Sequence, residues 1–305
     1  MAALGSRRPS KPVVKQVVAS SRSRYVAASS GLLLCVLLSS CSSDGGARAA
    51  AAAAAPAAPG SVIALDARGY LDPAALPDSL ALVPPPPAEG SPAMALDSAV
   101  ASRMLALRDS PRWQQARSDA ALAFPAAANQ FSCALGIEVS QQRTPHLMRL
   151  LGRTLLDASS ATSAAKARYQ RPRPFVSNQA PVCTPEDEAS LRGNGAYPSG
   201  HTAIGWAWGL VLAEAAPEHS AALLLRGRRF GDSRLVCNVH WQSDVVQGRV
   251  MGAAAVAALH GNAEFRADLQ AARKEIEDAR RAGAVPARDC TAEASALAAP
   301  LPTAL

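Results

Sequence analysis

The sequence predicts an all-α protein, a single domain built as a multi-helix bundle. Three observations carry this. Ser110-Pro111 and Thr144-Pro145 each pair a capping residue with a proline, whose missing N–H and fixed φ suit the first helical position. Apolar residues then return at helical spacing, as in Leu147, Leu150, Leu151, Leu155 and Ala158. Apolar residues make up 49% of the chain but aromatics only 4%, and no stretch alternates apolar and polar residues as a half-buried strand does.

The Ser110-Pro111 signal opens a helix reaching to about Leu122, and Thr144-Pro145 opens the next. Residues 201–216 read as a buried helix, because the run is apolar on every side. Ala221 to Val236 reads as a mixed helix, Gln242 to His260 as an alanine-rich apolar one, and Ala263 to Arg281 as an exposed charged one. Pro84 to Pro87 form a stiff polyproline strap. Trp206, Trp208 and Trp241 are expected to pack the core. His146, His219 and His260 have no partner at useful spacing and are expected at the surface. The basic stretch from Arg226 to Arg229 is expected to form a solvated helix face.

Arg22 and Arg24 precede Gly31 to Leu38, an apolar run too short to span a bilayer, which reads as the core of an export signal. It ends in Leu38-Ser39-Ser40-Cys41, which resembles a bacterial lipobox. Residues 1–40 are therefore expected to be a lipoprotein-type signal peptide with Cys41 lipidated. The alternative is an ordinary secretory signal in which Cys41 is incidental. Residues 41–60, rich in Ala, Gly, Ser and Pro, read as a linker. Residues 61–285 read as the catalytic domain and 286–305 as a flexible tail. The expected location is the periplasm, with a lipid anchor in the outer membrane as the only membrane contact.

The formal charge is +7, but Arg7, Arg8, Lys11, Lys15, Arg22 and Arg24 supply six of those charges within residues 1–40, where no acid occurs. The remainder is close to neutral, which removes the basis for a nucleic-acid polymer as partner. Cys133, Cys183, Cys237 and Cys290 follow the lipobox. An even number in an exported chain suggests disulfides, with three connectivities that the sequence does not separate; buried free thiols are the alternative. The spacing matches no zinc pattern. A bridge at Cys237 would brace the segment that carries His240.

The chemistry concentrates in two stretches. In Gly195-Ala-Tyr-Pro-Ser-Gly-His-Thr202 a turn feeds a helix, so free N–H groups and the positive end of the helix dipole meet in a place suited to an oxyanion. Gly200 admits close approach of the backbone, Ser199 adds a hydroxyl, and His201 can exchange a proton near neutral pH. In the second stretch His240 and Asp244 stand four apart on one helical face, so the carboxylate can fix the tautomer of the imidazole. Arg234 offers a planar fork for phosphate, and Lys166 and Arg173 add two further cations upstream. Two histidines, one carboxylate, three cations and an oxyanion turn describe a phosphoryl-transfer site. His240 with Asp244 would alone suit a metal, but the surrounding cations would repel one, so no metal is expected.

Lys166-(six residues)-Arg173-Pro174, then Pro198-Ser-Gly-His201, then Ser233-Arg234-(five residues)-His240-(three residues)-Asp244 resembles the three-part signature of the type-2 phosphatidic acid phosphatase and vanadium haloperoxidase superfamily. Within it the chain is similar to the class A bacterial non-specific acid phosphatases, from about Tyr70 to about Ala272. Supporting stretches are Leu82 to Pro87, Phe131 to Leu135, Gly195 to Trp206 and Val236 to Val245. The chain departs from the family at Pro172, between Arg171 and Arg173, and both arginines stand as candidates for the binding role, with the spacing favouring Arg173. The resemblance implies an all-α bundle of the acid phosphatase/vanadium haloperoxidase type that hydrolyses small phosphomonoesters without cofactor or metal. It implies His240 as nucleophile oriented by Asp244, His201 as acid and then base, and Lys166, Arg173, Ser199, Gly200 and Arg234 as phosphate ligands. A homodimer or larger assembly is a further family expectation. A haloperoxidase would use His240 to hold vanadate, but such enzymes usually space the motifs far more widely. A membrane lipid phosphatase would need several apolar spans, which the mature chain lacks. A surface lipoprotein that only binds phosphate is the non-enzymatic alternative.

Overall fold

A computed structural model describes residues 68–301. The expected signal peptide, Cys41 and the expected 41–60 linker lie outside the described residues. The described chain opens with α1 (Ser79–Leu82), α2 (Pro92–Met104), α3 (Pro111–Ser118) and α4 (Ser132–Leu135). It continues through α5 (Pro145–Ser160), α6 (Ser163–Tyr169), α7 (Pro174–Asn178) and α8 (Glu188–Arg192). The rest is α9 (Gly200–Ala215), α10 (Ser220–Val236), α11 (Gln242–Leu259), α12 (Ala263–Arg281) and α13 (Cys290–Ala298). No strand occurs among the described residues, and the protein is all-α as the composition and periodicity indicate.

Helix α9 is the axle. It is apolar nearly all round, and α5, α10, α11 and α12 pack against it. Such a helix is stable only where neighbours cover every face. Phe131, Trp208 and Phe230 fill the space between α9, α10 and the segment before α4, with ring centroids 5.9 Å apart in each pair. The buried Trp208 indole donates to the Leu151 carbonyl at 2.9 Å, so its one polar atom is satisfied. Trp241 is also buried, as expected.

Helices α9 and α10 approach closely because glycines face each other. A Cβ on Gly227 would lie 2.8 Å from the Gly205 carbonyl oxygen and 3.2 Å from the Gly209 Cα, both backbone atoms that cannot rotate away. Gly227→Ala is therefore expected to push the two helices apart and cost about 1–3 kcal/mol. The check is a lower urea midpoint at unchanged slope.

Helix starts follow the sequence with one exception. Ser110 caps α3 by accepting from the Trp113 N–H at 3.3 Å. Thr144 does not cap α5. Its hydroxyl donates to the Ser140 carbonyl at 3.0 Å, and Glu275 of α12 accepts from the N–H groups of His146 and Leu147 at 3.0 and 2.9 Å. A carboxylate placed at the positive helix end does the same work from a distant part of the chain.

Three expectations need correction. Helix α3 stops at Ser118 rather than near Leu122, because Asp119 turns inward and accepts from Gln115, Arg226 and Ser233. Arg226 is consequently buried at 3% exposure between Asp119 and Glu293, and only Arg228 and, in part, Arg229 face solvent. The 286–305 segment contains α13, which a Cys133–Cys290 disulfide and the buried Glu293, paired with Arg226 and Arg288, hold to the bundle. His146 and His219 are partly exposed and His260 exposed, in keeping with the surface expectation, and their partners come from remote segments: Asp268 at 3.5 Å, the Ala134 carbonyl at 3.1 Å and Glu214 at 3.2 Å. The second disulfide is Cys183–Cys237, which anchors the end of α10 just before His240.

Candidate active site

The turn from α10 into α11 carries His240, and the turn into α9 carries Ser199 to His201; the two meet at Asp244. The Ser199 N–H donates to the Asp244 carbonyl at 2.9 Å, which ties the turns together. Ser199 is the N-cap of α9. Its Oγ accepts from the Thr202 N–H at 3.3 Å and from the Thr202 hydroxyl at 2.8 Å, which leaves its own proton to donate. Gly200 and His201 follow as the first residues of the helix, where N–H groups have no intrahelical acceptor. The Tyr197 hydroxyl donates to the Pro84 carbonyl at 2.6 Å, so the polyproline strap fastens onto this turn.

His240 is buried, and its two ring nitrogens have opposite surroundings. Nδ1 lies 3.2 Å from Asp244 Oδ2, and Nε2 lies 3.0 Å from Arg173 Nη1. A carboxylate accepts and a guanidinium only donates, so the proton sits on Nδ1 and the lone pair on Nε2. Asp244 Oδ2 also accepts from the Trp241 N–H at 2.8 Å, closing the first turn of α11. Arg173 is held over the imidazole by the carbonyls of Leu191, Asn194 and Val239, at 2.9, 3.1 and 2.9 Å.

Lys166 donates to the Gly195 carbonyl at 2.7 Å, and its Cε would lie 3.7 Å from a Cβ on Gly200, so the ammonium stem runs along the oxyanion turn. Arg234, 1% exposed, has no hydrogen-bond partner at Nε or Nη1. His201 Nε2 lies 3.0 Å from the Ala120 carbonyl, so that nitrogen carries a proton. All eight residues read from the sequence as catalytic or phosphate-holding thus lie on three converging segments.

The electrostatics have one sign. Burial, with Arg173 and Arg234 nearby, pulls the Lys166 ammonium down to about 7. Burial takes Arg173 down to about 10, and burial together with Arg173 takes Arg234 to about 9. Burial and the same cations hold His201 and His240 well below the usual imidazole range. Burial lifts Asp244 to about 6 against the pull of Arg171. A dense positive potential with unsatisfied donors fits a dianionic phosphoryl group.

Arg171 and Arg173 separate clearly. Arg173 touches the imidazole, whereas Arg171 bonds Asp244 Oδ1 at 2.6 Å and Asp97 at 2.8 Å. Asp97 was absent from the sequence-derived set. Its signal is an acid at helical spacing from Val100, Ala101 and Met104, on a face that is buried.

An all-α bundle that focuses this much positive potential on an oriented histidine has the site chemistry of a phosphate-handling protein. A family model described as the PAP2 superfamily matches residues 147–266. An acid phosphatase of Zymomonas mobilis is 43% identical over 209 residues, covering 68% of this chain and 79% of that protein. A non-specific acid phosphatase of Providencia stuartii is 45% identical over 200 residues, covering 65% and 81%. One from Salmonella typhimurium is 42% identical over 197 residues, covering 64% and 79%. The chain therefore belongs to the class A bacterial non-specific acid phosphatases of the PAP2 superfamily.

Proposed function

We propose that the chain is an exported acid phosphatase that hydrolyses small phosphate monoesters of broad type through a phosphohistidine at His240, independently of metal. The observation that carries this reading is the His240 tautomer: Nε2 holds a lone pair in a pocket of unsatisfied cationic donors. Lys166, Arg173, Arg234, the Ser199 hydroxyl and the Gly200 N–H would hold the phosphoryl oxygens. The His240 Nε2 then forms a bond to phosphorus as the ester P–O bond breaks, and His201 in its protonated form gives its Nδ1 proton to the departing alkoxide, keeping the Nε2 proton on the Ala120 carbonyl. Water next attacks the phosphohistidine, losing a proton to His201, and the P–N pair returns to Nε2 as phosphate leaves. Preorganised cations supply most of the stabilisation in such transfers.

Export is supported by the two disulfides and by the N-terminal signal with its lipobox, which in this reading places a Cys41-lipidated enzyme on the periplasmic side of the outer membrane. No described helix is long and apolar enough to cross a membrane.

The test is hydrolysis of p-nitrophenyl phosphate from pH 4 to 9, with excess EDTA and then vanadate. His201 is held below its ordinary range, so its acid form grows as pH falls; Asp244 is lifted to about 6, so its charge is lost as pH falls through that value. The expected profile is a bell on the acid side of neutrality, unaffected by EDTA and suppressed by vanadate. Activity that depends on added divalent metal would sink the reading.

A further inference from the structure

Behind Asp244 runs a row of buried groups that the signature does not include. Asp97 of α2 accepts from Arg171 Nη2 at 2.8 Å, from the Ser243 N–H at 2.8 Å and from the Ser243 hydroxyl. Arg171, in the link between α6 and α7, donates through Nη1 to Asp244 Oδ1 at 2.6 Å and to Ser243 Oγ at 2.7 Å. Asp97 is 2% exposed and Arg171 7%. One guanidinium therefore bridges two carboxylates, each of which also holds the start of α11.

We propose that Asp97 and Arg171 are positioning residues for His240, fixing Asp244 so that Oδ2 always faces the imidazole. The inference rests on His240 being the nucleophile. With Oδ1 engaged by Arg171, the carboxylate cannot turn its other oxygen to the ring or present a proton to Nδ1. The guanidinium is in turn held by Asp97, so it cannot swing toward the cationic pocket. The row adds two negative charges and one positive, a net negative charge behind a ring that becomes cationic when Nε2 binds phosphorus. A single carboxylate without the bridge would neutralise on burial instead.

The groups facing Asp244 include Arg171, Asp97, Lys166, Arg173 and Tyr197, as well as His240 on its own segment. Arg171 favours the charged carboxylate and Asp97 opposes it. Removing them therefore acts in opposite directions. Arg171→Gln takes away the favourable cation, raises Asp244 and moves the acid limb of kcat to higher pH, by about one to three units. Asp97→Asn keeps an acceptor oxygen but removes the opposing charge, so the acid limb moves to lower pH.

The experiment measures kcat and KM for p-nitrophenyl phosphate from pH 4 to 8 in the full chain, for wild type, Asp97→Asn, Arg171→Gln and Arg171→Lys. Expected is a kcat loss of about 10–100-fold in Asp97→Asn and Arg171→Gln at nearly constant KM, as for partners that orient a reacting side chain from behind. The limbs move oppositely, and Arg171→Lys, which keeps the charge without the bridge, loses kcat with a wild-type limb. Limbs that stay put, or losses that fall on KM, overturn the inference. Asp97→Asn is close to isosteric and decides the matter if Arg171→Gln does not fold. A wild type that never hydrolyses the ester overturns the phosphohistidine reading, and the inference with it; a wild type that turns over beside unshifted variants overturns the inference alone.

Discussion

His240→Ala is expected to abolish measurable turnover, with kcat reduced on the order of 10⁴-fold or more, in line with loss of a nucleophile from a set that acts as a unit. The other nitrogen bases near the phosphoryl site are not oriented by a carboxylate as His240 is. Lys166 is engaged with the Gly195 carbonyl, and the proton on His201 Nε2 is held by Ala120. Binding should survive, because Lys166, Arg173, Arg234 and the α9 N-terminus do not depend on the imidazole. The variant should therefore still bind vanadate while showing no labelled enzyme after an alkaline quench, a condition that preserves a P–N bond. Asp244→Asn is the finer version. The fold should persist, but an amide can offer either its oxygen or its NH₂ to Nδ1, so the tautomer that puts the lone pair on Nε2 is no longer enforced. Labelled enzyme that forms in His240→Ala at the wild-type rate would assign the nucleophile elsewhere.

What the sequence made legible was local. The signature motifs act through residues three to eight positions apart, and such spacing survives in the text of the chain: the His240–Asp244 pair and the turn before α9 are found where the spacing puts them. The groups that the text concealed are held together across long separations. Glu275 stands 129 residues from the His146 N–H that it caps, and Asp97 stands 74 residues from Arg171. Neither pairing leaves a periodic trace, because a buried carboxylate needs only one partner and that partner can come from any element. Arg226 shows the same effect. Basic residues clustered on a helix read as a wet face, yet one of them is drawn inside by Asp119, just past α3, and Glu293 of α13. The C-terminal residues look like tail because their apolar residues are mostly alanine with no large side chain to mark a packed face, and a disulfide with a buried ion pair does the anchoring. A buried ion pair is visible in sequence only as two unexplained charges.

Arg234→Met is expected to make the ligand-free protein more stable and nearly inactive. Arg234 is among the largest fully buried side chains, and two of its nitrogens have no acceptor. Burial lowers it to about 9, with Arg173 pushing the same way, so in the absence of an anion the folded state bears a charge it would rather expel. Asp119 and Asp187 attract it, but the net displacement is downward, and desolvation wins. Methionine fills a similar length without charge or orphaned donors. Replacing buried ionic groups by apolar ones of similar volume commonly gains about 1–4 kcal/mol, and a gain in that range is expected here. The gain is full below pH 9, where Arg234 is charged in both folded and unfolded wild type, and it shrinks as pH rises from 9 towards the ordinary guanidinium range. Catalysis moves the other way. A guanidinium that holds phosphoryl oxygens more tightly as their charge spreads is worth about 10³–10⁵ in rate, so kcat/KM should fall by that order. Thermal unfolding with and without phosphate separates the two effects. Wild type should gain more from phosphate than Arg234→Met does, because stabilisation by ligand follows the affinity of the folded state, while the variant should unfold at the higher temperature when phosphate is absent. A variant that unfolds at lower temperature than wild type and still turns over substrate would mean that Arg234 is a structural cation, and that the positive potential of this pocket serves the bundle rather than the ester.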